Sequence, residues 1–233
     1  MDDSAGIKLL ANASWIDANW MWIGLLLGAI NFVCLLKYKQ LICNKFGSQC
    51  WYGLIASSVY AIHQVEEHGY DIYGRRYMFV PTFNADLGVK LGVTLTPRAV
   101  TYVNLITIWI AFPVCAYISN AGNNYIPAAI TWGTAIVNGI GGHLLPLLEK
   151  KYIPGAFQSA LMVPLGIWVL YSFHFRFGWM DGLILPLIAG FLFHIVGIVV
   201  PVFFFPGSEL MVPVFIIIAS IGFPVGIGKI KQE

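Results

Sequence analysis

Apolar residues in this chain come in long blocks, and polar residues come in short ones between them. The blocks read Trp20–Leu36, a second opening at Trp51 and running into His63, Ala99–Ser119, Tyr125–Leu148, Gly155–Phe173, Gly182–Phe205 and Leu210–Gly228. Most approach the roughly 20 apolar residues that a helix needs to cross a bilayer. The last is broken by Pro213 and Pro224, so the pattern predicts six spans, or seven if that run also crosses. Between the second and third blocks, from Gly69 to Pro97, the chain is richer in Gly, Pro, Thr and charge. That stretch is expected to be an interfacial connection, with a re-entrant piece at "FNADLGVKLGVTLTPR". There is no internal repeat, and residues 1–233 read as one integral-membrane helical domain. The expected fold class is all-α, a polytopic transmembrane helix bundle.

Composition agrees with the pattern. Of 233 residues, 58% are hydrophobic and only 10% charged, against about 25% charged in a soluble domain. The net charge of +2 comes with no basic arm, which excludes nucleic acid as a partner. Trp15, Trp20 and Trp22 suit the aromatic belt at a membrane interface. The segment before Trp20 lacks the basic start and small-residue cleavage site of a signal peptide, so the first span is expected to stay in the mature protein. Arg75, Arg76, Lys90, Arg98 and the "EKKY" after the fourth block favour one cytoplasmic side, whereas Lys37, Lys39 and Lys45 favour the other. On balance a cytoplasmic N-terminus is expected, in a plasma membrane or a bacterial inner membrane. Cys34, Cys43, Cys50 and Cys115 show no CxxC spacing and read as structural thiols.

The chemistry concentrates where the second block ends, in "AIHQVEEHGYDIYGRR". On a helix turning about 100° per residue, Glu67 lies about 40° to one side of His63 and Glu66 about 60° to the other. The three share a face, whereas His68 is rotated about 140° away. If each block crosses once, the second, fourth and sixth run parallel, and the 1.5 Å rise puts His63, His143 and His194 within roughly 10 Å of a common depth. His63, Glu66, Glu67, His143 and His194 are therefore the candidate metal ligands. Glu66 and Glu67 are the candidate catalytic carboxylates, with Asn138 and His68 supporting from behind. Each has a plainer reading. Glu66, Glu67 and His68 could sit among headgroups, and a lone His143 or His194 could hydrogen-bond a neighbouring helix. Ionisable residues inside a membrane are nevertheless rare and usually functional. His174, beside Phe173 and Arg176, reads as interfacial. Asp71, Glu149 and Asp181 read as solvated or interfacial charges.

"HQVEE", His63 to Glu67, resembles the motif for which the HXXEE-domain family of multi-pass membrane proteins is named. "NGIGGH", Asn138 to His143, and "YIPGAFQSA", Tyr152 to Ala160, are similar to that family's pattern too, so the resemblance runs from about Trp51 to Phe173. It implies a metal centre using His63, Glu66, Glu67 and His143, and supplies no reaction.

Imidazole with carboxylate suits a divalent transition metal, iron before zinc, and the absence of thiolate ligands argues against Cu(I) or an iron–sulfur cluster. The reading preferred is a non-haem iron or di-iron oxidoreductase acting on a small or lipid-like substrate, with one or two irons. Five histidines are too few for the membrane desaturase pattern. The alternative is a zinc-dependent intramembrane hydrolase, with three histidines on the metal and a glutamate activating water, although HExxH is absent. A proton- or cation-coupled transporter is the third reading, without the inverted repeat that would support it. Besides the bilayer and the substrate, a homo-oligomeric partner is left open.

Overall fold

The computed structural model describes residues 3–119, 124–205 and 211–230. Among these every regular element is a helix, apart from a single β-bridge between Tyr70 and Arg76. In chain order the helices are α1 (Ala5–Leu10), α2 (Trp15–Lys37), α3 (Lys39–His68), α4 (79–91), α5 (Pro97–Ile118), α6 (126–148), α7 (Ala156–Trp179), α8 (180–204) and α9 (211–230). Their starts follow local chemistry. Ser14 caps α2 by accepting from the Asp17 N–H at 3.1 Å, and Thr96 caps α5 by accepting from Ala99 N–H at 3.1 Å. Proline occupies the first turn of α5 and of α6, where its missing N–H costs nothing.

Helix α3 is the hub, and small residues let its neighbours approach. It bends at Gly47 (φ 81°) and then runs unbroken to His68. Helix α2 packs antiparallel to it. A β-carbon at Gly28 would lie 3.0 Å from that of Ala61, and the Trp51 indole donates to Leu35 O at 2.8 Å. Helix α5 is also antiparallel, with Ser57 Oγ donating to Ile108 O at 2.7 Å. Helix α6 runs parallel to α3: Trp132 near its start donates to Tyr52 O at 2.9 Å, and His143 near its end meets the His63 ring. Helix α7 returns against α6, Gly139 facing Val163 and Gly166 facing Ile136.

At Gly178 the backbone leaves helical geometry (φ 86°, ψ 168°), and Gly182 backs onto the peptide between Phe173 and His174. The chain therefore reverses there, and α8 lies back along α6. At the crossing a β-carbon on Gly190 would come within 2.5 Å of the Gly133 carbonyl, and one on Gly133 would collide with Pro186 O. Backbone-to-backbone contact of this kind is how helices associate in lipid, where no hydrophobic driving force separates them from solvent.

Among the described residues three helical runs are long and apolar enough to cross a membrane: Trp15–Lys37, Pro97–Ile118 and the 44-residue run Ala156–Val199. The pattern predicts six or seven spans. Part of the difference lies at Gly178, which divides the long run into two limbs. The rest lies in α3 and α6, whose polar groups include Gln49, Ser57, Ser58, His63, Gln64, Glu66 and Glu67 on one and Thr131, Thr134 and His143 on the other. Those groups are buried against other helices, so these two helices do not need a lipophilic surface. The outer helix α2, in contrast, exposes Leu26, Leu27, Ile30, Val33 and Leu36. The last apolar run is helical from Met211, and Leu210 lies outside the described residues.

The connection 69–78 is more ordered than an interfacial linker. Asp71 is buried, not solvated as expected from sequence: its Oδ1 accepts from the Tyr73 and Arg75 N–H groups at 2.9 Å each, and its Oδ2 meets Arg75 Nε and Nη2 at 2.8 Å each. Burial opposes the Arg75 charge, but hydrogen bonds and charge from Asp71 outweigh it and raise the guanidinium above its ordinary value. Segment 79–91 is a short helix that brings Phe79 over the end of α3.

Candidate functional site

His63, Glu67 and His143 come together where α3 and α6 end side by side. One ligand atom from each lies within 4.8 Å of the others, and all three side chains are buried. Both imidazoles approach the same carboxylate oxygen. His63 Nε2 is 3.2 Å from Glu67 Oε1, and His143 Nε2 is 2.5 Å from it. The rings sit 5.0 Å apart, edge to face. The parallel run of α3 and α6 sets this juxtaposition, and the i, i+4 spacing on α3 turns Glu67 back under His63.

His143 is carried by a π-helical segment, Asn138–Leu144. Its i→i+5 pattern brings Asn138 beneath His143, with Asn138 Nδ2 3.4 Å from Nε2. Regular α-helical spacing would rotate the two about 140° apart, and single π turns recur at functional sites. The second carboxylate oxygen of Glu67 faces His68 Nε2 at 3.3 Å. His68 packs in turn among Trp20, Tyr77 and Phe79, and Phe79 also touches the His143 ring.

Glu66 is placed differently from the expectation of a ligand or catalytic carboxylate. Its Oε1 accepts from the Tyr152 hydroxyl at 2.9 Å and the Phe157 N–H at 3.1 Å, and its Oε2 accepts from the Gln158 N–H at 2.7 Å. The N–H groups of the second and third residues of α7, which a local cap would satisfy, are thus satisfied by a glutamate from α3. The positive end of the helix dipole favours a carboxylate there. Burial, then the Glu66 carboxylate, keep the Tyr152 phenol above its ordinary range and so a proton donor. The bond is returned: the Gln158 amide is placed to donate to Ile62 O at 3.2 Å and His63 O at 2.6 Å.

Gly155 closes the site from the α7 side. Its φ of +101° lies in the left-handed region, and a β-carbon would stand 2.7 Å from His143 Cε1 and 2.8 Å from Glu67 Cγ. Tyr152, Gly155 and Gln158 have roles that spacing on α3 does not reveal. The signal for them was "YIPGAFQSA", where a Pro-Gly pair opens a helix.

A family model described as a protein of unknown function with HXXEE motif matches residues 51–169. The chain belongs to the HXXEE family. Comparison with curated proteins and with solved structures returned no match. The matched segment covers the parts of three helices that build the cluster of this HXXEE protein: the second half of α3 with His63, Glu66 and Glu67, α6 with His143, and the α7 start that covers them.

His194 does not belong to the cluster of three. Its Nδ1 hydrogen-bonds to Gly190 O at 2.7 Å, one turn back on α8, although the ring lies within electrostatic range of Glu67 and His143. His174 is remote, its ring 3.8 Å from that of Trp179 and tilted by 33°, beside the Gly178 reversal.

The residues fit a bound cation. Two imidazoles and one carboxylate are ligand types shared by iron, zinc and manganese. His63 Nδ1 and His143 Nδ1 are buried and find no hydrogen-bond partner among the described residues. Each ring therefore has one nitrogen at the carboxylate and one unspent, whereas buried polar atoms are ordinarily satisfied.

Proposed function

We propose that this HXXEE protein is an integral-membrane metalloenzyme that holds one divalent transition-metal ion on His63, Glu67 and His143. The bundle would cross the bilayer with α2, α3, α5, α6, α7, α8 and α9, placing the centre near the membrane face reached by the ends of α3 and α6. The observation that carries this reading is the convergence of two buried imidazoles on a single oxygen of Glu67. Two histidines and a carboxylate are the set used by non-haem iron oxygenases. Iron is therefore the first choice, and oxidation of a small or lipid-like substrate is the reaction class. When bound, the ion would supply redox chemistry that no side chain offers.

The chain's own residues would hold and shelter that ion. Glu67 supplies the negative charge that offsets the cation in a buried setting. His68, on the other carboxylate oxygen, fixes the plane of Glu67, and Glu66 ties α7 over the centre. A hydrolase needs a carboxylate free to activate water. Glu66 spends its oxygens on α7 and Tyr152, and Glu67 spends its own on three imidazoles, so that reading has less support. A di-iron site has less still, because among the described residues only one carboxylate faces the histidines.

The test is metal content after purification in detergent under metal-replete, chelator-free conditions. About one iron per chain is expected, consistent with a single three-ligand set. His63→Ala, Glu67→Ala and His143→Ala should each lose most of it, while Glu66→Gln should retain more. One zinc per chain would shift the reading to hydrolysis, and no tightly bound metal would overturn both.

A further inference from the structure

The buried carboxylate has a polar side facing away from its ligands. From Glu67 Oε2 the contacts pass to His68 Nε2 at 3.3 Å. The His68 ring then touches Trp20, 5.4 Å between centroids, and Tyr77, 5.5 Å. His68 Nδ1, Trp20 Nε1 and the Tyr77 hydroxyl are all buried and find no hydrogen-bond partner among the described residues. The same is true of both amide atoms of Gln64, one turn before His68 on α3. Tyr77 also lies within electrostatic range of Asp17, which adds to burial in holding its phenol protonated. Asp17 walls an open cleft of about 310 Å³ together with Leu9, Asn12, Ala13, Thr96 and Arg98. Polar groups thus follow one another from an open cleft to the centre, and the inner ones lack partners.

We infer that the cleft between the α1–α2 connection and the start of α5 is the aqueous entrance to the buried centre, and that Tyr77, Trp20, Gln64 and His68 line a water-filled passage behind it. Water suits these atoms chemically. An indole N–H only donates, a phenol donates and accepts, and an amide does both at separate atoms. Buried water occurs where two to four such groups converge, whereas apolar voids stay dry. A small apolar pocket makes the contrast: the side chains of Phe83, Leu91, Val93, Leu95, Ile198, Val199 and Phe203 offer water nothing to bond. The passage would admit water and small hydrated solutes. It rests on protein groups without partners and stands whether or not an ion occupies the centre.

Hydrogen exchange of the Trp20 indole tests this in the unmodified protein without metal. Trp51 and Trp132 serve as internal controls, because their indoles donate to carbonyls at 2.8 and 2.9 Å. In protein labelled with ¹⁵N-tryptophan and moved to D₂O, with Trp20 assigned by its loss in Trp20→Phe, the Trp20 signal should exchange roughly tenfold faster than both controls or more. Exchange as slow as that of Trp132 would mean a dry interior and overturn the passage. Ala13→Trp, which fills the cleft mouth at a half-buried position, should slow Trp20 alone by a similar factor. An unchanged Trp20 rate in that variant would place the entrance elsewhere.

Discussion

Two adjacent glutamates do different work because one residue of helix turns them about 100° apart. Glu67 faces the histidines, and Glu66 faces the exposed amides of α7. Helical spacing made His63, Glu67 and His143 legible in the sequence. It could not separate Glu66 from Glu67, because both lie within about 60° of His63 and the partner that claims Glu66 is a backbone far along the chain. Gly155 is the residue most exposed to test. Gly155→Ala forces a side chain into the left-handed region, at a cost of about 1–2 kcal/mol, and aims it at His143 and Glu67. The expected outcome is a folded but destabilised protein, read from melting in detergent, and, at the proposed metal site, loss of most of the bound ion, read from metal content. Asp71 and Asp86 form a second comparison. Asp71→Ala removes the acceptor of two backbone N–H groups and of the Arg75 guanidinium and should cost about 1–3 kcal/mol. The Asp86 carboxylate is lowered by hydrogen bonds from Lys90 and Lys151, but its ion pairs are solvent-exposed, so Asp86→Ala should leave the melting temperature unchanged.

At the scale of elements, direction and closeness of approach decide the site. Parallel α3 and α6 are what bring His63 to His143, and this followed from counting crossings. His194, reached by the same count, is not among the three residues whose ligand atoms converge; its Nδ1 is bonded to Gly190 O on its own helix, which leaves Nε2 uncommitted. The π segment Asn138–Leu144 was hidden in the sequence, since no residue type announces an extra residue in a turn. Glycines separate into two kinds here. Gly133 and Gly190 hold α6 and α8 in backbone contact, so Gly190→Leu should prevent the bundle from closing and yield aggregated protein on size exclusion. Gly141 has open space around its β-position, and Gly141→Ala should be tolerated or raise stability by about 0.5 kcal/mol.

Across the whole molecule, the apolar blocks announced an all-helical protein, and three helical runs among the described residues are long and apolar enough to cross a membrane. The polar groups of α3 and α6 are buried against other helices, so the surfaces of these two need not be apolar. The alternating crossings of the proposed arrangement have a measurable consequence. In a cysteine-free background, single cysteines at Lys45 and at Lys151 should react with a membrane-impermeant maleimide from opposite sides of sealed vesicles. Reaction of both from one side would break the alternating topology. The loop that carries Asp71 illustrates what composition hides: a charged, Gly-containing stretch reads as a solvated linker, yet its carboxylate closes the turn from within.

The parallel pairing of α3 with α6 also has a history in each newly made molecule. Helix α3 leaves the ribosome with His63, Glu66 and Glu67 before their partners His143 on α6 and the amides of α7 exist. If the bundle crosses the bilayer as proposed, the insertion machinery would have to hold these groups in or near it until α5, α6 and the start of α7 have emerged. For that interval α3 would have only α2 beside it and ionisable residues at its end, a form that membranes tolerate poorly. Chains that stop before Gln158 would leave Glu66 without the amides it caps, and quality control would meet them as unfinished. Assembly of the His63–Glu67–His143 cluster and its cover is therefore tied to synthesis of α6 and of the start of α7.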